Sequence, residues 1–270
     1  MSPLVRNNVT VQGPGGPVML FSHGFGCDQT MWRAVAKRFE PDATVVLFDH
    51  VGAGHASEAA YEPARYAGLE GYAHDVVEVI EALGGGPVIF VGHSVSATIG
   101  VLAALSRPEL FQALVLVCAS PCYIDDVDYS GGFLEQDIQE LLDLMDKNTA
   151  DWAAHMAPHV AGAEALDVQE DWQASVCRIN PQIAKTFARA TFLSDHRADY
   201  ARLRTPTLLI DSRDDVLAPE AVGAWIQDAV PHSRRIVLPT EGHSPHMTAP
   251  GLTAEAIARV LDSGAGLHAK

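Results

Sequence analysis

The stretch Val88-Ile89-Phe90-Val91-Gly92-His93-Ser94-Val95-Ser96-Ala97 limits what this chain can fold into more than any other. Its first four residues are apolar and mostly β-branched, as in a buried strand. A glycine-bearing turn follows, and then small residues (Ser96, Ala97, Gly100) that suit a helix lying close to a sheet. A serine on a sharp strand-to-helix turn projects its hydroxyl above the sheet, where the first amide of the helix, that of Val95, is placed to hold a developing oxyanion. Ser94 is therefore a candidate nucleophile. The competing explanation is an ordinary helix N-cap, which is what most serines before a helix are. Ser96 stands where the Gly-x-Ser-x-Gly pattern has a glycine, and its small side chain still permits the close approach.

Around this turn the chain alternates strands and helices. Apolar periodicity predicts a short edge strand over 8–11, strands over 17–21, 43–48, 113–117, 207–211 and 235–238, and helices over 31–39, 69–83 and 95–105. That alternation implies an α/β fold, a mainly parallel sheet with helices on both faces. Between about 120 and 199 no strand-like run occurs. Four helix-length amphipathic segments, 134–145, 150–160, 168–179 and 181–192, appear instead, with Pro181 suited to a first helical turn. The expected division is a core made of 1–119 and 200–270 with a helical cap, 120–199, inserted above the strand ends. Phe133, Trp152, Met156 and Phe192 are the candidate apolar lining of a pocket beneath that cap, set against the simpler role of core packing.

A chain of 270 residues with 48% apolar and 19% charged residues can bury one large core, and no repeat or low-complexity tract is visible. A net charge of −16 repels phosphate backbones and anionic lipid, which disfavours nucleic-acid or membrane binding. Cys27, Cys118, Cys122 and Cys177 form no Cys-x-x-Cys pair and fit small hydrophobes in a reducing compartment. The first residues lack a basic stretch followed by an apolar run, so a cytoplasmic location is expected. His155 and His159 stand four apart, yet no glutamate-bearing zinc motif or third ligand accompanies them, and no metal or other cofactor is expected.

Four further loops follow strands, one of them the polar, glycine-bearing Asp49-His50-Val51-Gly52-Ala53-Gly54-His55 after the strand over 43–48, at the sheet edge where function collects in such folds. His23-Gly24-Phe25-Gly26 follows the strand over 17–21, and its glycines let the amide of Phe25 turn inward as a second oxyanion donor, where the alternative is a plain strand-to-helix turn. Asp214 and Asp215 follow the strand over 207–211, and either could orient a histidine; Asp211, which ends the strand, is the weaker candidate. Gly242-His243 follows the last strand and supplies the base, with His246 expected in a packing or rim role beyond Pro245. Nucleophile, acid and base in the order Ser94, Asp215, His243, each after a different strand, is the chain order of the α/β-hydrolase triad.

The motifs His23-Gly24-Phe25-Gly26-Cys27-Asp28-Gln29, Gly92-His93-Ser94-Val95-Ser96, Ser120-Pro121-Cys122-Tyr123, Gly131-Gly132-Phe133 and Gly242-His243-Ser244-Pro245-His246-Met247 resemble the RsbQ-like family of α/β-hydrolases, bacterial stress regulators related to the plant karrikin and strigolactone receptors. The resemblance implies a capped serine hydrolase that senses or slowly hydrolyses a small apolar ester or lactone. It places the acid on Asp215 rather than Asp214. It also implies a protein partner, a regulatory phosphatase on the bacterial side, toward which Cys122 and the run 144–148 lean. A plain metabolic carboxylesterase without a signalling partner is the alternative.

Overall fold

The computed structural model describes residues 1–262. Seven strands, β1 (Thr10–Gln12), β2 (Val18–Ser22), β3 (Thr44–Phe48), β4 (Val88–His93), β5 (Phe111–Val117), β6 (Thr207–Asp214) and β7 (Ser233–Glu241), form one sheet in the order β1-β3-β2-β4-β5-β6-β7. Among the described residues only β1 runs antiparallel. The central strand β4 is buried along its whole length, which is why its sequence is continuously apolar rather than alternating.

The helices are α1 (Pro3–Arg6), α2 (Arg33–Ala36), α3 (Leu69–Ala82), α4 (Val95–Ser106), α5 (Glu135–Lys147), α6 (Thr149–Ala161), α7 (Leu166–Arg178), α8 (Pro181–Phe192), α9 (Arg197–Arg202), α10 (Glu220–Ala229), α11 (Pro245–Thr248) and α12 (Pro250–Asp262). Helix α4 packs on β4 and β5 with α3 beside it, and α12 packs on β5, β6 and β7 with α2 beside it. The sheet is thereby covered on both faces, an α/β-hydrolase architecture. Helices α5 to α8 all fall between β5 and β6, with α6 packed on both α5 and α7, and α8 packed on α5.

Three predicted elements differ in extent or form, and β7 runs over Ser233–Glu241 rather than 235–238. The helix over 31–39 is a 3₁₀ turn (Gln29–Trp32) followed by the single α turn of α2. The Asp28 carboxylate caps that turn at the Thr30 amide, and Trp32 is drawn inward, its indole N–H donating to the Ser22 carbonyl at 3.0 Å. The chain then turns at once toward β3, with the Ala43 amide bonded to the Phe39 carbonyl, leaving no length for a longer helix. Strand β6 runs three residues past the expected 211, because Ser212 donates to the Thr240 carbonyl and Asp214 still pairs with Glu241 across an irregularity. Asp214 is thus a strand residue, and Asp215 is the first residue beyond it.

Candidate active site

Ser94 occupies φ 56° and ψ −124°, a backbone region that costs a non-glycine residue on the order of 1–3 kcal/mol. The surroundings hold it there. Its amide donates to the Val117 carbonyl of β5 at 2.9 Å, and α4 begins at the next residue. Its side chain makes no capping bond to the helix, contrary to an N-cap role. Ser94 Oγ instead lies 2.7 Å from His243 Nε2, and His243 Nδ1 lies 2.7 Å from Asp215 Oδ2. A carboxylate can only accept, so the imidazole proton sits on Nδ1 and the Nε2 lone pair faces the serine hydroxyl. The other carboxylate oxygen, Oδ1, accepts the amides of Leu217 (2.8 Å) and Ala218 (3.1 Å), which fixes the acid from behind.

Of the three candidate aspartates in and just after β6, only Asp215 reaches the histidine. Asp214 is exposed, and Asp211 is committed to an ion pair with Arg235 Nε at 2.5 Å. The His243 backbone is fastened on two sides. His93 Nε2 donates to its carbonyl at 2.8 Å, and its own amide donates to the carbonyl of His159 at the end of α6. Gly242, at φ 81°, permits that approach, since a Cβ there would stand 2.5 Å from the Gly162 nitrogen. His93, between the elbow glycine and Ser94, is a positioning residue whose role its place in the elbow motif does not reveal.

The first amide of α4, on Val95, has no acceptor within the helix and is free for a ligand oxygen. The loop carrying Phe25 passes beside the elbow so closely that a Cβ on Gly24 would meet His93 Nδ1 at 2.4 Å and Ser94 Cβ at 3.4 Å. The Val95 amide and the loop carrying Phe25 thus lie on either side of the nucleophile turn.

A cavity of about 30 Å³ opens on Ser94 and His243 and is lined by Phe25, Trp152, Met156 and Phe192 among others. Three of the four predicted lining residues are there. Phe133 is not, and it lines a neighbouring cavity of about 520 Å³ with Leu141, Leu144, His155 and His159. The reason is local: residues 122–133 fold back on themselves, with Phe133 bonded through its amide to the Tyr123 carbonyl, and in that pairing Tyr123 takes the inward place. Tyr123 is a lining residue that helical periodicity could not reveal, because it lies on no helix. Burial pushes its phenol up to about 12, so the hydroxyl stays protonated. Val160, Trp172, Thr191 and Leu217 complete the wall.

His155 and His159 are exposed, their rings 5.9 Å apart. Among the described residues, the group whose ligand atoms all lie within 4.8 Å of one another is Cys118, Asp215 and His243. The histidine and aspartate already satisfy each other, and burial with the nearby aspartates keeps the Cys118 thiol protonated, so the three are poorly prepared as a metal cage. Cys27, Cys118 and Cys122 are buried and Cys177 is exposed, all four as free thiols. His246 is fully buried against Trp32 and His93, which is the packing role and not the rim.

Residues 17–250 match the family model of the alpha/beta hydrolase fold. A karrikin insensitive 2 receptor of Petunia hybrida is 35% identical over 255 residues, 94% of each chain. A strigolactone esterase of Arabidopsis thaliana is 34% identical over 255 residues, covering 94% of this chain and 96% of that one. The solved structure of a hydrolase from Oleispira antarctica superposes with a TM-score of 0.94 at 38% identity, over 96% of both chains. Among the described residues no helix is long and apolar enough to cross a membrane. The chain belongs to the α/β-hydrolase family and is related to the plant karrikin and strigolactone receptors.

Proposed function

We propose that this protein is a serine hydrolase that cleaves or senses a small apolar ester or lactone, with Ser94 as nucleophile, His243 as general base and Asp215 as the acid that orients it. One observation carries this: a single imidazole stands 2.7 Å from both the serine hydroxyl and the buried carboxylate, at the floor of a cavity walled by aromatic side chains. In the first step His243 Nε2 takes the Ser94 proton while Oγ bonds to the ester carbonyl carbon, and the carbonyl oxygen becomes an oxyanion held by the Phe25 and Val95 amides. Collapse breaks the carbon–oxygen bond, and the imidazolium returns its proton to the departing alkoxide, which in a lactone stays tethered to the acyl group. Water deprotonated by His243 then cleaves the acyl-serine to the carboxylic acid.

The substrate class rests on size and polarity. A cavity of about 30 Å³ holds only about two waters, far below the roughly 300 Å³ of an ordinary ligand pocket. Admission of any ester requires Trp152, Met156 and Phe192, carried by α6 and α8, to part, so these helices act as a cap on the site. The lining offers few polar partners, and a charged ligand would lose its hydration uncompensated.

The related receptors support a signalling role, and the RsbQ-like motifs support a bacterial stress pathway with a phosphatase partner in the cytoplasm. The test is to assay the purified protein against neutral and charged small esters and lactones, with and without Ser94→Ala, and to measure phosphatase binding with and without substrate. Slow Ser94-dependent turnover with ligand-dependent binding supports the sensor. Fast multiple turnover without any partner leaves a plain carboxylesterase, and turnover that survives Ser94→Ala sinks the assignment.

A further inference from the structure

Ser96 is the residue that replaces the usual glycine of the elbow, and it is fully buried. Its hydroxyl is the hub of a closed hydrogen-bond cluster. It donates to the His23 carbonyl at 2.5 Å, receives the Ser22 hydroxyl at 2.9 Å, and lies 2.8 Å from His50 Nε2. The Ser96 proton goes to His23 and the Ser22 proton to Ser96, so His50 Nε2, which also lies 3.1 Å from Ser22 Oγ, must carry its own proton and donate it. The other His50 nitrogen, Nδ1, is buried with no partner, and burial holds this imidazole well below its ordinary pKa, in agreement with a neutral ring.

The cluster extends to the oxyanion loop. The backbone amide of His50 donates to His23 Nε2 at 3.0 Å, which leaves the His23 proton on Nδ1, and that Nδ1–H donates to the Gly24 carbonyl at 2.9 Å. The Gly24 carbonyl and the Phe25 amide are two ends of one planar peptide unit. Whatever fixes the carbonyl therefore aims the N–H. From the far side the Trp172 indole donates to the Phe25 carbonyl at 3.3 Å.

We infer that Ser96 and His50, acting through His23, are positioning residues that aim the Phe25 amide at the oxyanion. The inference rests on the proposed hydrolytic role of Ser94. A glycine at position 96 would leave the His23 carbonyl without this donor; the serine ties the loop bearing one oxyanion donor to the helix whose first amide is the other. The two amides are thereby fixed relative to each other before substrate arrives, the condition under which such dipoles stabilise a transition state without reorganisation.

The experiment compares wild type, Ser96→Ala, His50→Leu and His50→Gln on p-nitrophenyl acetate, and measures binding of an alkyl trifluoromethyl ketone and of its secondary alcohol. The ketone adds to Ser94 as a tetrahedral oxyanion; the alcohol cannot. A misaimed donor lowers kcat by about ten- to a hundredfold with KM nearly unchanged. Ketone affinity then falls by the same factor in Ser96→Ala and His50→Leu while alcohol affinity holds, and His50→Gln, whose amide reaches toward Ser96 as Nε2–H does, recovers most of the loss. If His50→Leu fails to fold, His50→Asn, an amide too short to reach Ser96, takes its place. Wild-type kcat and ketone affinity in Ser96→Ala overturn the inference, as does parallel weakening of ketone and alcohol, or a glutamine no better than leucine. Ser94→Ala is measured alongside: ketone binding that survives it refutes the serine mechanism, separately from the positioning.

Discussion

The strand ends and the inserted helices meet at one cavity, but different interactions hold them. On the sheet side the reacting groups are fixed through backbone: Ser94 by its amide to β5, Asp215 by the Leu217 and Ala218 amides, and His243 by the His93 ring, with one further bond from its amide to the His159 carbonyl of α6. On the helix side Trp152 and Phe192 meet Phe25 ring to ring at centroid distances of 5.6 and 6.3 Å, contacts that can shift without breaking a hydrogen bond. Geometry that chemistry needs within fractions of an ångström is built where the chain cannot slide. Room for a ligand is made where side chains can repack. Substitutions on the sheet side should therefore change rate, and those on the helix side should change which ligand is accepted.

The largest effect that would test this contrast is loss of the nucleophile or base. Ser94→Ala or His243→Ala lowers kcat on a neutral ester by on the order of 10⁶ while the protein stays folded, since members of such a unit fail together. Circular dichroism and active-site titration check both halves of that statement. Next comes the acid. Asp215→Asn lowers kcat by about 10⁴, because an amide no longer holds the imidazole with Nε2 free. Exposed Asp214, changed to Asn, leaves the rate within about twofold. The reverse order for the two aspartates would move the acid and break the geometric argument.

What the sequence made legible follows the same division. Ser94, His243 and the oxyanion loop stand out because strand ends, glycines and chain order announce them. Asp215 could not be separated from Asp214 by residue type alone; the choice depends on where β6 stops pairing, and Asp214 still faces Glu241 in the ladder. Trp152, Met156 and Phe192 were readable as apolar positions on helices. Phe133 was misplaced and Tyr123 overlooked because the fold-back of 122–133 is set by backbone pairing with no sequence period. His93 and His50 stand in motif and strand-end loops whose sequence does not give their roles: their importance lies in what their second nitrogen and their neighbours' carbonyls do, and no spacing reports that.

On the helix side the expected changes are smaller. Phe192→Ala weakens binding of a neutral apolar ester by about tenfold or more, the worth of part of a buried aromatic side chain, with kcat changed less than KM. Trp152 is fully buried against Phe25 and Trp172, so alanine there would cost about 3–5 kcal/mol of stability; Trp152→Phe is the cleaner probe. Phe133→Ala, in the neighbouring cavity, leaves affinity within about twofold of wild type. A large loss there would show that the two cavities, which share Met156 and Leu217, open into one when ligand binds.

The smallest effect concerns stability on the rigid side. His246 is fully buried between Trp32 and His93, both ring nitrogens lack partners, and burial, with the His243 ring nearby, brings its pKa down to about 3. The unfolded chain takes up this proton below about 6.5, whereas the folded chain refuses it until about 3. Between those values the unfolded state binds more protons, so folding weakens as pH falls, by up to about 1.4 kcal/mol per pH unit for this one group. Above 6.5 both states are neutral and the term vanishes. His23, His50 and His93 are lowered in the same sense and for the same first cause, burial, so the wild-type protein is acid-labile through several histidines at once. His246→Phe removes one of them without breaking a hydrogen bond. Urea unfolding at pH 7.5 then differs little from wild type, while between pH 6.5 and 5.5 the variant loses about 1 kcal/mol less. Identical pH slopes for the two proteins would mean that His246 already takes its proton in the folded state, and that the packing around the His243 loop is looser than the contrast with the helices requires.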